Sequence, residues 1–314
     1  MDSSDQLAVE TINLTYKFPN TTTYGIENIS LAIPWGSTNL IIGPNGAGKS
    51  TLLRILAGKT LIKQGQLKLG GFDPFEFNIN RNSQRNSDIN NYITYLGIEW
   101  ASNPIVKREI PVNLLISSIG GDSFSDRRDE LIRILDINPD WLMSKISDGE
   151  RRRVQLVMGL LKPWKLLLLD EVTVDLDVIA RDNLLNFLKN ECKTRNCCVI
   201  YATHIYDGLN KQWCDRLVHL NNGTIKHDIE MTQVKFEAIE KIQEVDSQYR
   251  IPVSNSFHPL AHYWLGDDLK ERGSRQDEQQ RMLEKHNDWK NARDGSYFDG
   301  GDDKITSYFR STRS

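Results

Sequence analysis

Apolar positions along the chain follow two patterns in turn. Leu40-Ile41-Ile42, Leu166-Leu167-Leu168-Leu169 and Cys198-Val199-Ile200-Tyr201-Ala202 are short continuous runs, the mark of strands covered on both faces. Between these runs apolar residues recur at helical spacing, over 51–57, 105–142, 154–161 and 179–190. Val112, Leu114, Leu115 and Ile116, then Leu131, Ile132, Ile134 and Leu135, carry that period in the second stretch, and Asn138-Pro139 breaks it. Strands and helices in alternation predict an α/β protein with a parallel sheet.

The two ends depart from this rhythm. Residues 7–42 read as β-rich: one strand through Leu7-Ala8-Val9 and Thr11-Ile12-Asn13-Leu14, another through Ile26, Ile29, Leu31 and Ile33. Pro19 to Thr23 and Pro34-Trp35-Gly36-Ser37 are turns. A short strand is expected over 64–71 and another over 92–96, with an Asn- and Ser-rich surface loop at 78–91 between them. Val234, Phe236, Ile239 and Ile242 keep a weak helical period, which predicts a helical extension over 231–265. Residues 266–314 carry 10 Lys/Arg against 11 Asp/Glu and few apolar side chains, so a disordered, solvated tail is expected there. The main domain is then 1–230, with a helical subdomain at about 100–160.

Composition narrows the classes. The 314 residues are 39% hydrophobic with a mean hydropathy of -0.47, enough for a sizeable core. A formal net charge of -3 and a pI near 6.1 give no global basic field, so nucleic-acid binding is not indicated. No apolar run approaches the ~18 residues of a membrane span, so direct membrane insertion is not expected. Met1-Asp2-Ser3-Ser4-Asp5 lacks the features of a signal peptide. Cys192, Cys197, Cys198 and Cys214 form no zinc-like pairs and read as reduced thiols of an intracellular protein.

The strongest chemical signal is Gly43-Pro44-Asn45-Gly46-Ala47-Gly48-Lys49-Ser50-Thr51. It fits G-x-x-x-x-G-K-[ST], the phosphate-binding P-loop, and lies between a predicted buried strand and a predicted helix, as the motif requires. Glycines let successive backbone N–H groups curl around one anion, and the helix N-terminus adds its positive dipole end. Gly43, Asn45, Gly46, Gly48, Lys49, Ser50 and Thr51 are therefore candidate nucleotide contacts. Lys49 would reach the terminal phosphates and Ser50 would ligate Mg²⁺. Asp170 and Glu171 end the Leu166–Leu169 run, where Asp170 would hold Mg²⁺ and Glu171 would polarise the attacking water.

With these motifs the chain resembles the ATP-binding-cassette (ABC) ATPases over about residues 7–230, with a β-rich N-terminal subdomain, a RecA-like core and a helical signature subdomain. The resemblance implies further roles. His204, after Ala202-Thr203, matches the switch histidine that contacts the γ-phosphate. Val174-Asp175-Leu176-Asp177 matches the D-loop at a dimer interface, which makes Asp177 a candidate contact. Ile146-Ser147-Asp148-Gly149-Glu150 stands at the L-S-G-G-Q signature, whose Ser147 and Gly149 would bind the γ-phosphate held by a partner's P-loop, giving a homodimer or a pairing with a second ABC domain. Phe18, with Tyr16 as the alternative, stands where the family stacks an aromatic on adenine. Glu99 is the best match to the Q-loop glutamine, a candidate for the catalytic and metal sets. Glu99, Asp148 and Glu150 each add negative charge near a polyanion. At ~6 Å and an effective dielectric of ~20 each pair would cost about 3 kcal/mol before Mg²⁺ and salt offset it, so slow, Mg²⁺-dependent turnover is expected.

Ser147 to Leu156, Gly159 to Trp164 and Asp170-Glu171-Val172-Thr173-Val174-Asp175-Leu176-Asp177 are similar to a small group of soluble eukaryotic ABC ATPases without transmembrane domains. A fungal member of that group is associated with the carbon-catabolite-repression/Not complex, which regulates transcription and deadenylates mRNA. This likeness implies an ATP hydrolase in the cytoplasm and nucleus that dimerises on ATP and acts on a regulatory protein complex. The alternatives are the separate nucleotide-binding subunit of a membrane ABC transporter and an ATP-dependent scaffold that does not hydrolyse.

Overall fold

A computed structural model describes residues 7–19, 23–75, 92–97, 108–237, 239, 241–245, 248–254 and 256–273. The continuous apolar runs form the central sheet. It holds β3 (Thr38–Ile42), β5 (Ile93–Leu96), β6 (Leu166–Asp170), β7 (Cys198–Ala202), β8 (Arg216–Asn221) and β9 (Thr224–Glu230), in the order β5-β6-β7-β3-β8-β9. The first five strands of that order run parallel, and β9 closes the edge antiparallel to β8.

Alternation along each strand divides its side chains between two cores. Leu40, Ile42, Leu167, Leu169, Val199, Tyr201 and Leu217 face one; Ile41, Leu166, Leu168, Cys198, Ile200 and Val218 face the other. Burial on both faces is why these strands carry no polar alternation. The second core is shared with α1 (Lys49–Leu56) and an antiparallel sheet of β1 (Leu7–Lys17), β2 (Tyr24–Pro34) and β4 (Gln64–Leu69), in the order β2-β1-β4. The two apolar pieces expected at 7–14 are one strand, with a register shift beside Asn13, whose φ is +49°. Asparagine tolerates that left-handed conformation better than most residues.

The first core extends into the helical region of α2 (Val112–Ser118), α3 (Ser125–Ile134) and α4 (Asp148–Leu160), and is also covered by α5 (Val178–Arg195). The period expected over 105–142 is two helices, joined through the 3₁₀ turn Gly121–Phe124. α4 begins six residues before the expected start at Val154, because Ser147 caps it and polar residues fill its first turns. All four cysteines are buried, and burial pushes each thiol up.

The helical extension expected at 231–265 is corrected in its first half. Residues after a 3₁₀ turn form a small sheet of β10 (Val234–Glu237), β12 (Gln248–Pro252) and β11 (Gln243–Val245), and a helix begins only at α6 (His258–Arg272). Val234 with Phe236, and Tyr249 with Ile251, are two apart and pack on the core, so period two governs. The spacing of Ile239 and Ile242 imitated a helix. One compact unit runs to Leu265, and the described start of the next, from Gly266, continues α6 to Arg272 where a disordered tail was expected. The loop expected at 78–91 and the remainder of the tail lie outside the described residues.

Trp264 of α6 fastens this extension. It is 1% exposed, its ring stacks 5.0 Å from both His219 of β8 and His227 of β9, and Tyr249 of β12 meets it edge-on. Trp264→Ala is expected to cost about 3–5 kcal/mol in urea unfolding. A loss below ~1 kcal/mol would mean that α6 is not integral to the core.

Candidate functional site

The strand order decides which loops meet. β3, β7 and β6 are neighbours and parallel, so their C-terminal ends open on one edge of the sheet, the place where open α/β sheets bind ligands. The P-loop leaves β3, Asp170 ends β6 with Glu171 just after it, and Thr203-His204 follow β7.

Gly48 ends the loop with φ +102°, and a β-carbon on it would stand 2.4 Å from the Gly25 carbonyl oxygen. Only glycine fits there, and α1 starts from it with its free N–H groups turned to the loop. Asn45, Gly46, Gly48, Lys49, Ser50 and Thr51 line an open cleft of about 330 Å³ with Phe18, Tyr24, Glu171 and His204. Gly43 contributes its carbonyl, which accepts from Lys49 Nζ at 2.8 Å; the Pro44 carbonyl accepts at 3.1 Å. Ser50 Oγ donates to Asp170 Oδ1 at 3.0 Å, and Tyr95 OH donates to the other carboxylate oxygen at 3.1 Å.

Glu171 has φ +52°, a strained conformation for a side chain of its size. One carboxylate oxygen accepts from the His204 backbone N–H at 3.3 Å and the other stands 3.4 Å from His204 Nε2. Burial raises the Glu171 pKa, against the pull of the His204 N–H and of Lys49. Burial lowers His204, and the Lys49 charge lowers it further. The ring is therefore neutral near pH 7. Lys49 Nζ lies 3.1 Å from Nε2, and an ammonium has only donors, so Nε2 accepts and the ring proton sits on Nδ1. Lys49 itself is lowered by burial, an effect that Glu171 and then Asp170 oppose.

Phe18 lines the cleft and is 39% exposed, while Tyr16 meets it edge-on at 5.4 Å and packs on the second core. Of the two aromatics weighed for adenine, Phe18 is the one that lines the cleft. Tyr24 joins it, a residue the sequence reading missed; it begins β2 and had no motif to mark it. Tyr95 was missed for a similar reason, lying inside a strand rather than in a loop.

Ser147, Gly149 and Asp177 do not line this cleft. Ser147 caps α4, and Glu150 completes a capping box: its carboxylate accepts from Ser147 N at 2.8 Å and Oγ at 2.7 Å. Those bonds hold the Glu150 carboxyl below its usual range. Gly149 lies against the D-loop, where a β-carbon would approach the Asp175 carbonyl to 2.9 Å. Asp177 caps α5 by accepting from Ala180 N at 2.9 Å and pairs with Arg153, so within one chain its carboxylate has a structural task. Glu99 lies outside the described residues.

The donor set suits Mg²⁺. Ser50 and Asp170 offer oxygen from two adjacent elements, and Mg²⁺ is bound through one or two protein oxygens, with phosphates and water completing its shell. Among the described residues no group of three or more His, Cys, Asp or Glu side chains forms a self-sufficient metal cage. Among them, too, no helix is long and apolar enough to cross a membrane.

Residues 26–174 match the family model described as "ABC transporter". The chain is 47% identical to CCR4-associated factor 16 of Saccharomyces cerevisiae over 84% of its length and 96% of that protein. It is 42% identical to ABC transporter I family member 21 of Arabidopsis thaliana, over 66% of the chain and 73% of that protein. Its fold is similar to a dimeric ATP-binding cassette in a post-hydrolysis state bound to ADP and Pi, with a TM-score of 0.56 and 20% identity, covering 71% of the chain and 98% of that structure. Cleft, sheet order and sequence agree, and the chain belongs to the ABC ATPase family.

Proposed function

We propose that this chain is a Mg²⁺-dependent ATP hydrolase that closes as an ATP-bound dimer and regulates a transcription or mRNA-decay complex. The observation that carries the hydrolase reading is Glu171 beside His204 in the cleft that also holds Lys49 and Ser50, with Asp170 bonded to Ser50 behind it. The P-loop N–H groups and Lys49 bind the phosphates. Ser50 and Asp170 would hold Mg²⁺, which neutralises charge on the transferring phosphoryl group. Glu171 takes the proton of the attacking water. His204, neutral and oriented by Lys49, reaches the γ-phosphate. Phe18 stacks on the base, and Glu99 is proposed beside the Mg²⁺ site.

The dimer reading rests on two observations. Ser147 and Gly149 do not face the cleft of their own chain, and the D-loop and the start of α5 expose Val174, Val178 and Ile179, an apolar surface suited to a partner chain. A structural relative is itself described as dimeric. The name of the yeast relative favours a regulatory complex, and a cytoplasmic and nuclear location is proposed with it. The names of the Arabidopsis relatives favour a second reading, service to a membrane transporter. Purification of tagged protein distinguishes them: a soluble assembly with deadenylation factors supports the first, and a membrane protein as the stoichiometric partner overturns it.

Glu171→Gln is expected to lower phosphate release by about 10²–10⁴-fold while ATP binding persists. Equal silence of both proteins, with ATP bound, would remove the hydrolase reading and leave the scaffold.

Glu171 must be ionised to act, and its pKa lies above the ordinary 4.5. The turnover rate should therefore fall on the acid side with a midpoint above pH 4.5. A turnover profile flat down to pH 4.5 would exclude Glu171 as the base.

Glu150→Gln keeps the capping box, which glutamine also completes, and removes one negative charge from the signature. ATP-induced self-association, measured by sedimentation in the Glu171→Gln background, should tighten about fivefold, roughly 1 kcal/mol of screened repulsion. An unchanged or weaker association would show that Glu150 does not face the partner's phosphates.

A further inference from the structure

The helix capped by Ser147 buries a cation behind the Glu171 carboxylate. Arg152 of α4 is 5% exposed. Its guanidinium donates to the Gly97 carbonyl at 2.9 Å, the Val172 carbonyl at 3.2 Å, the Glu171 carbonyl at 3.4 Å and the side chain of Gln155. Gln155 in turn donates to the Gly97 carbonyl at 3.2 Å. One planar fork thus joins the signature helix to the loop after β6 and to the end of β5. Arg151 and Arg153, on either side, serve other ends: Arg151 donates to the Met143 and Ile146 carbonyls and pairs with Asp148, and Arg153 pairs with Asp136 and Asp177.

Glu171 needs such support. A left-handed residue with a long side chain persists only where its surroundings over-determine it. Its N–H is held by the Ala202 carbonyl at 2.9 Å, from the end of β7. Its carbonyl and that of Val172 are held by Arg152. The side chain between these two anchors points into the cleft beside His204.

We propose that Arg152 is a positioning residue: it fixes the peptide of Glu171 so that the carboxylate stays aimed at His204, and it ties that aim to the pose of the signature helix. A shift of α4, which starts five residues earlier at its Ser147 cap, is then transmitted to the base through one side chain. The proposal rests on the hydrolase reading for its effect on rate, and on geometry alone for its effect on the segment.

The test is Arg152→Lys in the full chain, read by amide hydrogen exchange and by steady-state hydrolysis. Lysine keeps the charge and the apolar stem but not the fork that spans separate carbonyls. Exchange across 168–176 should rise about tenfold, the P-loop segment 43–51 should be unchanged, and kcat should fall about tenfold with KM within about twofold, the equivalent of one lost charge-assisted hydrogen bond. Arg152→Gln, which buries no charge, is the second variant and should behave alike if the lysine variant does not fold. Wild-type exchange at 168–176, a loss confined to KM, or a rise spread equally over both segments would overturn the proposal. If wild-type protein binds ATP and releases no phosphate, the hydrolase reading fails separately, and exchange at 168–176 alone decides the role of Arg152.

Discussion

The Lys49 ammonium is 7% exposed and surrounded by unlike groups: the Gly43 and Pro44 carbonyls, the His204 ring, and the charges of Asp170 and Glu171. A buried amine without such partners loses its proton, and a buried carboxylate without a cation gains one. Lys49 and Glu171 each oppose the loss of charge that burial promotes in the other. The cation also helps to keep His204 neutral, so the imidazole offers a lone pair to Lys49. This mutual dependence needs the side chains from three separated stretches to converge, and the parallel order of β6, β7 and β3 brings their C-terminal ends together.

Around that centre Gly46, Gly48 and Glu171 hold left-handed backbone, and two of these positions are tightly constrained by their neighbours. Gly48 is one, where a β-carbon would collide with Gly25. Glu171 is the other, and there no glycine relieves the strain, because the site needs the carboxylate. The difference is compensated by hydrogen bonds at both ends of the residue, from β7 on one side and α4 on the other. The helical region is thereby attached to the catalytic loop by backbone acceptors, which depend on position rather than on side-chain identity.

What could be read from the sequence follows from how local each signal is. The P-loop and the Asp170-Glu171 pair are contiguous and follow short apolar runs bounded by turn residues, so the residues that meet at this edge of the sheet were legible. His204 was legible through the strand before it. Tyr95 and Arg152 were not, since their importance comes from register: Tyr95 lies opposite Leu168 in the β5–β6 pairing, two residues short of Asp170, and Arg152 stands in a run of three arginines whose partners differ completely. The strands at 234–252 were hidden because Val234, Phe236, Ile239 and Ile242 satisfy a helical spacing as well as part of a period of two, and only packing against Tyr249 and Trp264 decides between them.

The two helix N-termini that the family directs at phosphate are not equal here. α1 has no acidic residue in its first turn, and its dipole end is open to an anion. α4 has Asp148 and Glu150 there, and its capping hydroxyl already donates to Glu150 at 2.7 Å. To bind a partner's phosphate, Ser147 must exchange one acceptor for another beside a carboxylate that repels the newcomer. On the proposed dimer, the nucleotide affinity of a single chain would then reside in its own P-loop, and the contribution of the signature to closure would be small. On the dimer proposed above, a cassette built in this way would hold ATP while open and close only weakly upon it, so a partner that favours the closed form by a few kcal/mol would govern the state of the whole assembly.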